Sequence, residues 1–189
     1  QSYLNKRHYE AFTYKGFLGP KVRLIPHQIY VASQILEMER PKAMLCDEVG
    51  LGKTIEACLV INSLLQKEII QSCLFIVPDS LVNQWFIELY TKFNISSQYI
   101  HESESNAELS QARFLILSSK MFKHDERVRE KVTQKHWEAL VIDESHQFNF
   151  NQDSPDIDAL KKLNEESLST LLLSATPEIL GHKNLFHQL

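Results

Sequence analysis

Residues 47–54 read Asp-Glu-Val-Gly-Leu-Gly-Lys-Thr, and their types and spacing suit the binding of phosphate groups. Gly50 and Gly52 let the backbone curl so that successive N–H groups point inward and form an anion-binding nest. Lys53 adds a positive charge for the β and γ phosphates of a nucleoside triphosphate, and Thr54 adds a hydroxyl for Mg²⁺. We therefore predict that the whole segment binds nucleotide: Asp47, Glu48, Val49, Gly50, Leu51, Gly52, Lys53 and Thr54.

The flanking residues favour this interpretation over an ordinary glycine turn with Lys53 in solvent. An apolar run at 43–46 precedes the segment, and a helix-like stretch at 55–65 follows it. A strand, a turn and a helix place the unpaired N–H groups of the helix N-terminus, and the positive end of its dipole, beside the bound anion. The common pattern G-x-x-x-x-G-K-[ST] has glycine where this chain has Asp47.

A second segment, residues 139–146, reads Ala-Leu-Val-Ile-Asp-Glu-Ser-His and supplies two carboxylates. The four apolar residues predict a buried parallel strand, and ligands bind at the carboxyl ends of such strands. Asp143 is predicted to hold Mg²⁺ through water, and Glu144 to orient and deprotonate the attacking water. The alternative is an acidic pair that caps the next helix. Because the chain also has the phosphate-binding pattern at 47–54, a role of the two carboxylates in hydrolysis is favoured over helix capping.

A third apolar run, 168–173, ends in Ser174, Ala175, Thr176 and Pro177. Ser174, Ala175 and Thr176 are predicted to couple the phosphate site to the part that moves on hydrolysis. An ordinary Ser/Thr/Pro turn after a strand is the alternative.

These three motifs, in this order, resemble the N-terminal RecA-like lobe of superfamily 2 helicases and translocases, and more narrowly the SWI/SNF-type translocases of double-stranded DNA. Leu24 to Gln28 resembles the family's glutamine motif, in which Gln28 would read the adenine edge. An acidic residue in the first glycine slot is the family's own variant, so Asp47 supports the match. Residues 78–85 are similar to the motif that contacts the nucleic-acid backbone.

The resemblance implies ATP and Mg²⁺ as ligands and double-stranded DNA as partner. It implies catalytic roles for Lys53, Asp143 and Glu144, with Thr54 and Asp143 at the metal. Residues facing nucleic acid would be Asn83, Gln84, Ser118 and Ser119. The Ser-Ala-Thr-Pro ending is similar to the bacterial RNA-polymerase-associated branch, whereas many chromatin remodellers have Gly-Thr-Pro. RNA polymerase is therefore a further candidate partner.

Two other functions stay open at this point. One is the lobe of an RNA helicase or of a restriction-type DNA helicase, and the other is a non-catalytic interaction module that binds nucleotide. The family uses a second RecA-like lobe that supplies arginines to the γ-phosphate. Because this chain stops at Leu189, soon after the third motif, we expect the lobe alone to hydrolyse ATP weakly or not at all.

Alternating strands and helices predict the fold class: an α/β, three-layer RecA-like P-loop domain, with a mostly parallel central sheet covered by helices on both faces. We expect a lead-in segment at 1–20 and the lobe at 21–189. The predicted strands are 43–46, 73–77, 97–101, 113–118, 139–143 and 169–174. The predicted helices are 27–39, 53–67, 80–92, 124–135 and 157–165, with loops at 101–110 and 149–158.

Composition sets limits on partners and location. The net charge of −4 argues against a strong free-standing nucleic-acid binder. The basic stretch 120–135 predicts a solvated helix face, with a phosphate-facing surface as the alternative. No run of 18 apolar residues and no signal-peptide core occurs, so we predict no membrane span and a cytoplasmic location, nucleoid-associated if bacterial.

Three cysteines show no metal-ligand spacing. Cys46 and Cys73 lie in apolar runs and are predicted to be buried. Trp85 shares a helical stripe with Leu81, Phe86 and Leu89, which predicts a packing role, whereas the neighbouring Asn83 and Gln84 are the better candidates for phosphate contact.

Overall fold

The computed structural model describes residues 20–22, 25–46, 52–100 and 111–175. Several predicted features lie outside these ranges. They are the lead-in segment up to residue 19, Leu24, the loop residues Asp47, Glu48, Val49, Gly50 and Leu51, the polar loop 101–110, Thr176 and Pro177.

A six-stranded sheet forms the centre of the described chain, and every pair of neighbouring strands is parallel. The strands are β1 (Lys42–Leu45), β2 (Cys73–Val77), β3 (Gln98–Tyr99), β4 (Phe114–Ser118), β5 (Ala139–Ile142) and β6 (Ser169–Leu173). Their order across the sheet is β1-β6-β5-β2-β4-β3. Parallel pairing places all the carboxyl ends at one edge of the sheet, including those of β1, β5 and β6, after which the three motifs follow in the sequence.

Helices connect the strands. They are α1 (Pro26–Leu36), α2 (Lys53–Gln66), α3 (Val82–Phe93), α4 (Ser119–His124), α5 (Glu126–Gln134) and α6 (Pro155–Glu166), with short 3-10 turns at Asp79–Leu81 and Ser145–Gln147. Because four-residue and five-residue apolar strands alternate with these helices, the α/β prediction is confirmed.

Two apolar clusters cover the two faces of the sheet, which gives the three predicted layers. Successive side chains of a strand point to opposite faces. Accordingly Phe75 and Val77 belong to the cluster formed with α1, α2 and α3. Leu74 and Ile76 belong to the cluster formed with α4, α5 and α6.

The helix predicted at 124–135 corresponds to α5, but the prediction missed α4, which directly precedes it. Asp125 separates them in an extended conformation and caps the second, since its Oδ1 accepts a hydrogen bond from the Val128 N–H at 3.1 Å. An aspartate satisfies the free N–H groups of a helix start better than it fits a helix interior. The buried Arg129 also departs from a solvated face, because its guanidinium donates to the Phe122 and Lys123 carbonyls at 3.1 and 2.8 Å.

Other predicted details are also corrected. Cys46 is exposed rather than buried, because β1 ends at Leu45 and Cys46 lies beyond the last strand pair. The segment 149–158 is not wholly an exposed loop, since Phe150 is buried beside Phe148 and α6 begins at Pro155. The strand predicted at 97–101 is only the two residues of β3. Within the described ranges, no helix combines the length and the apolar character that a bilayer crossing requires.

Candidate nucleotide-binding site

The described end of the phosphate-binding segment lies at the start of α2. Gly52 is the N-cap of this helix, with φ of 93° and ψ of 28°. Lys53 is its first residue and is 9% exposed, and Thr54 follows, half-buried. Glycine adopts this left-handed backbone conformation without steric cost. The first helical turn is thereby fixed where its N–H groups and dipole favour an anion.

Gln28 lies against this turn. Its side chain, on α1, is 4% exposed, and its amide occupies the place that a Cβ on residue 52 would need. One residue earlier, His27 Nε2 lies 3.7 Å from Glu56 Oε1 in the first turn of α2. The structure therefore brings the predicted adenine-reading glutamine to the phosphate-binding turn.

Asp143 lies at the carboxyl end of β5 and is 6% exposed. Its backbone N–H donates to the Ile76 carbonyl at 2.8 Å, which continues the pairing of β5 with β2. Both carboxylate oxygens accept hydrogen bonds at 2.9 Å, Oδ2 from the Trp85 indole N–H and Oδ1 from the Glu144 backbone N–H. These contacts fix the carboxylate at the sheet edge.

The charge balance at Asp143 is set by opposing effects. Burial raises the pKa of its carboxyl above the ordinary aspartate value, and the Glu144 charge raises it further. The hydrogen bonds from Trp85 and Glu144 and the positive charge of Lys53 lower that pKa. Lys53 follows β1 at the start of α2 and Asp143 follows β5, so both lie at the carboxyl edge of the sheet. The nearby positive charge favours the ionised form of the carboxylate, which is the form that can hold a divalent cation.

Glu144 adopts a left-handed backbone conformation with φ of 48°, where the chain leaves β5 and enters the 3-10 turn. Its Oε2 lies 3.1 Å from His146 Nδ1, and the same ring nitrogen lies 3.3 Å from Ser174 Oγ. His146 thus connects Glu144 to the residue at the end of β6. A non-glycine residue held in this conformation is uncommon and marks a constrained position.

Ser174 and Ala175 follow β6, which lies between β1 and β5 in the sheet. The Ser174 N–H donates to the Leu45 carbonyl at 3.0 Å. The ends of the strands that carry the three motifs therefore stand side by side. Gln28, Gly52, Lys53, Asp143, Glu144 and Ser174 form the site that the structure brings together.

The predicted nucleic-acid residues lie elsewhere. Asn83 and Gln84 are exposed on the first turn of α3. Ser118 and Ser119 are buried: Ser118 Oγ accepts from the Met121 N–H at 3.1 Å and caps α4, while Ser119 Oγ donates to Gln147 Oε1 at 3.3 Å. Contact of these four residues with nucleic acid stays a prediction.

The sequence gives no indication that Trp85 and His146 contact the two carboxylates. The helical stripe correctly predicted that Trp85 faces inward, but periodicity carries no information about its hydrogen-bond partner 58 residues away. His146 was part of the second motif, and its adjacency to Glu144 was the only available signal. Its bridge to Ser174 depends on the strand order, which the sequence does not state.

The donor set fits a magnesium nucleotide. Mg²⁺ takes hard oxygen ligands and is commonly held by one or two carboxylates together with water and substrate phosphates. The Thr54 hydroxyl and the Asp143 carboxylate are such oxygens, and the Lys53 ammonium is the type of group that pairs with phosphates. The residues present would accept ATP with its metal ion.

Comparison with known families decides the classification. The SNF2-related domain family matches residues 27–188. The chain belongs to this family. The match includes all the site residues that the structure brings together, from Gln28 to Ser174.

Similar proteins are also found individually. The RNA polymerase-associated protein RapA of Vibrio atlanticus is 32% identical over 184 residues, covering 93% of this chain and 19% of the relative. RapA of Erwinia tasmaniensis is 31% identical, covering 97% of this chain and 20% of the relative. The chain thus spans about a fifth of the length of these relatives.

Among solved structures, the SWI2/SNF2 ATPase core of Sulfolobus solfataricus in complex with double-stranded DNA matches with a TM-score of 0.68 and 26% identity. The match covers 84% of this chain and 33% of the archaeal one. The RecA-like fold predicted from the motifs is therefore confirmed.

Proposed function

We propose that this chain is the ATP-binding lobe of a DNA-dependent ATPase that couples hydrolysis to movement on double-stranded DNA. The observation that carries the proposal is the site itself. Lys53 at the start of α2 and the Asp143–Glu144 pair at the end of β5 share one edge of the sheet. Membership of the SNF2-related domain family supports the ATPase class.

Each site residue has a chemical task in this proposal. Gln28 would recognise adenine, Lys53 would bind the terminal phosphates, and Thr54 with Asp143 would hold Mg²⁺, which when bound neutralises charge on the phosphates. Glu144 would accept the proton of the attacking water.

His146 would orient the Glu144 side chain, and the same imidazole would link Glu144 to Ser174. Its Nδ1 lies within reach of both the Glu144 carboxylate and the Ser174 hydroxyl. Ser174, Ala175 and Thr176 would then connect the state of the phosphate to movement of the lobe. We include residues 47–51 as the remainder of the phosphate loop.

The proposed partners follow from the similar proteins. The archaeal core was solved with double-stranded DNA, and the RapA proteins are named for association with RNA polymerase. We therefore propose DNA, and RNA polymerase bound to DNA, as targets of the protein that carries this lobe, acting in the cytoplasm at the nucleoid. A second RecA-like lobe would complete its active site.

Calorimetry with the chain and a slowly hydrolysed ATP analogue tests nucleotide binding. We expect binding that requires Mg²⁺ and falls by at least about tenfold in Lys53→Ala, because an ammonium that pairs with phosphate contributes roughly 1.5–3 kcal/mol. Glu144→Gln keeps the shape of the side chain and should bind the analogue as the wild type does. Wild-type chain that gives no heat of binding would refute the proposal.

The same pair of variants tests hydrolysis in the complete protein. Glu144→Gln should abolish turnover while binding persists, because the amide cannot take a proton. Turnover of the wild type should rise more with double-stranded DNA than with single-stranded DNA or RNA. Stimulation by RNA alone would favour an RNA helicase, and unchanged turnover in Glu144→Gln would favour a non-catalytic module.

A further inference from the structure

Trp85 connects the inner face of α3 to the carboxylate that is assigned to the metal. Its indole Nε1 lies 2.9 Å from Asp143 Oδ2, and the two residues are 1% and 6% exposed. Both groups are thus largely removed from water, so solvent can replace this hydrogen bond only poorly. Leaving a buried polar group without a partner destabilises the folded state, so the two groups are strongly constrained to stay paired.

The indole is held in place independently of Asp143. Trp85, Leu89 and Phe93 are the buried residues of α3, spaced four apart on one face. The Trp85 ring packs on Phe75 in the middle of β2, with ring centroids 5.5 Å apart. The donor therefore has a fixed position before any ligand binds.

A fixed donor determines the orientation of the carboxylate. The Glu144 backbone N–H binds Oδ1 and the Trp85 indole binds Oδ2, so the plane of the carboxylate is set by two bonds from different elements. Indole N–H is a donor only and does not titrate, so it favours the ionised carboxylate that a metal needs. Groups that orient a metal ligand in this way typically change metal affinity by about 10–100-fold when removed.

We propose that Trp85 is a positioning residue for the magnesium site: its indole N–H holds the Asp143 carboxylate in the orientation that binds the ion. This inference rests on the proposed nucleotide-binding function. It also assigns a second role to α3. The same turn that exposes Asn83 and Gln84 outward fixes the metal ligand inward.

The second tryptophan supplies a matched control. Trp137 is also 1% exposed, and its Nε1 donates to the Val132 carbonyl at 3.0 Å. It belongs to the apolar cluster on the opposite face of the sheet, formed with α4, α5 and α6. Trp137→Phe thus removes an equally buried indole and hydrogen bond without touching Asp143.

The test measures ATP affinity of the chain at a series of Mg²⁺ concentrations, and once in EDTA without the metal. For Trp85→Phe we expect the Mg²⁺ concentration needed for half-maximal tightening to rise about 10–100-fold, with the metal-free affinity unchanged. Trp137→Phe should need as much Mg²⁺ as the wild type. An unchanged Mg²⁺ requirement in Trp85→Phe, or an equal loss of affinity with and without the metal, overturns the inference.

A second measurement does not depend on the folding of Trp85→Phe. The chain has two tryptophans, so Trp137→Phe leaves Trp85 as the sole source of indole fluorescence. Adding Mg²⁺ to the ATP-bound variant should change this emission, and constant emission overturns the inference. If the wild type binds no ATP even with Mg²⁺, the proposed function falls as well. If the wild type binds and only the tryptophan results are negative, the proposed function stands.

Discussion

Asp143 is a carboxylate that the fold keeps in an unfavourable environment. Its burial at the end of β5 raises the pKa of the carboxyl, although the Trp85 indole, the Glu144 backbone N–H and the charge of Lys53 supply partial compensation. Folded proteins retain such groups mainly where chemistry requires them. At the residue scale, the buried Asp143 carboxylate therefore destabilises the folded state but provides an oriented ligand for a cation.

This cost predicts a pH dependence of stability. The folded state binds the Asp143 proton more tightly than the unfolded chain, so the penalty is absent below the unfolded pKa of about 3.9 and grows as the pH rises through the folded pKa. We expect the melting temperature of Asp143→Asn, relative to wild type, to increase between pH 3.5 and pH 7, because only the wild type acquires the penalty.

Replacing the carboxylate by an amide also alters the hydrogen bonds from Trp85 and Glu144, but this effect does not change with pH. The pH-dependent part of the difference in melting temperature therefore reports only the titration of Asp143. Differential scanning calorimetry of both proteins without nucleotide at several pH values makes the measurement. Adding Mg²⁺ and ATP at pH 7 should stabilise the wild type more than the variant. A difference in melting temperature that stays constant with pH would contradict this account of the buried carboxylate.

At the scale of elements, the sequence specified the strand–turn–helix units well. Continuous apolar runs predicted β2 and β5 because strands buried on both faces contain no polar alternation. Lys53 and Asp143 could be placed together because carboxyl ends of parallel strands share an edge. The hydrogen bond of Trp85 to Asp143 and the contacts of His146 could not be predicted from the sequence. Each joins two elements that are brought together only by tertiary packing.

Cys46 illustrates the same limit, and it yields a prediction. An apolar neighbourhood suggested burial, but the residue lies just past β1 and is exposed, whereas Cys58 and Cys73 are buried. Burial raises the pKa of both inner thiols well above the usual range, with the charge of Glu88 adding to the effect at Cys58. Since the thiolate is the reactive form, iodoacetamide at pH 8 should modify Cys46 first.

Mass spectrometry of the native chain after brief alkylation checks this prediction. One label per chain, at Cys46, is the expected early product, and a Cys46→Ser variant should remain unlabelled over the same time. Denaturant should then expose the two inner thiols and bring the total to three. Early labelling of Cys58 or Cys73 in the folded chain would contradict the packing of α2 against β2.

At the scale of the whole molecule, the positions of the arginines are informative. Among the described residues, Arg40 and Arg113 precede β1 and β4, at the sheet edge opposite the site. Arg129 is tied to carbonyls of α4, and Arg127 lies exposed on α5, beside a cavity that Lys120 also lines. Phosphoryl transfer in P-loop enzymes depends strongly on an arginine at the transferred phosphate, whose loss costs about 10³–10⁵ in rate. None of these four described arginines lies among the residues of the proposed nucleotide site.

We therefore expect the 189-residue chain to bind ATP with Mg²⁺ but to hydrolyse it at least about 1,000-fold more slowly than the complete protein, because an arginine from a second lobe would be missing. Single-turnover hydrolysis of radiolabelled ATP by equal concentrations of both, with and without double-stranded DNA, makes the comparison. Glu144→Gln in each background sets the level of contaminating activity. If a second lobe closes on the nucleotide, as we propose, DNA should accelerate only the complete protein. Brisk, DNA-stimulated turnover by the chain alone, absent in its Glu144→Gln variant, would show that this lobe contains all the catalytic groups.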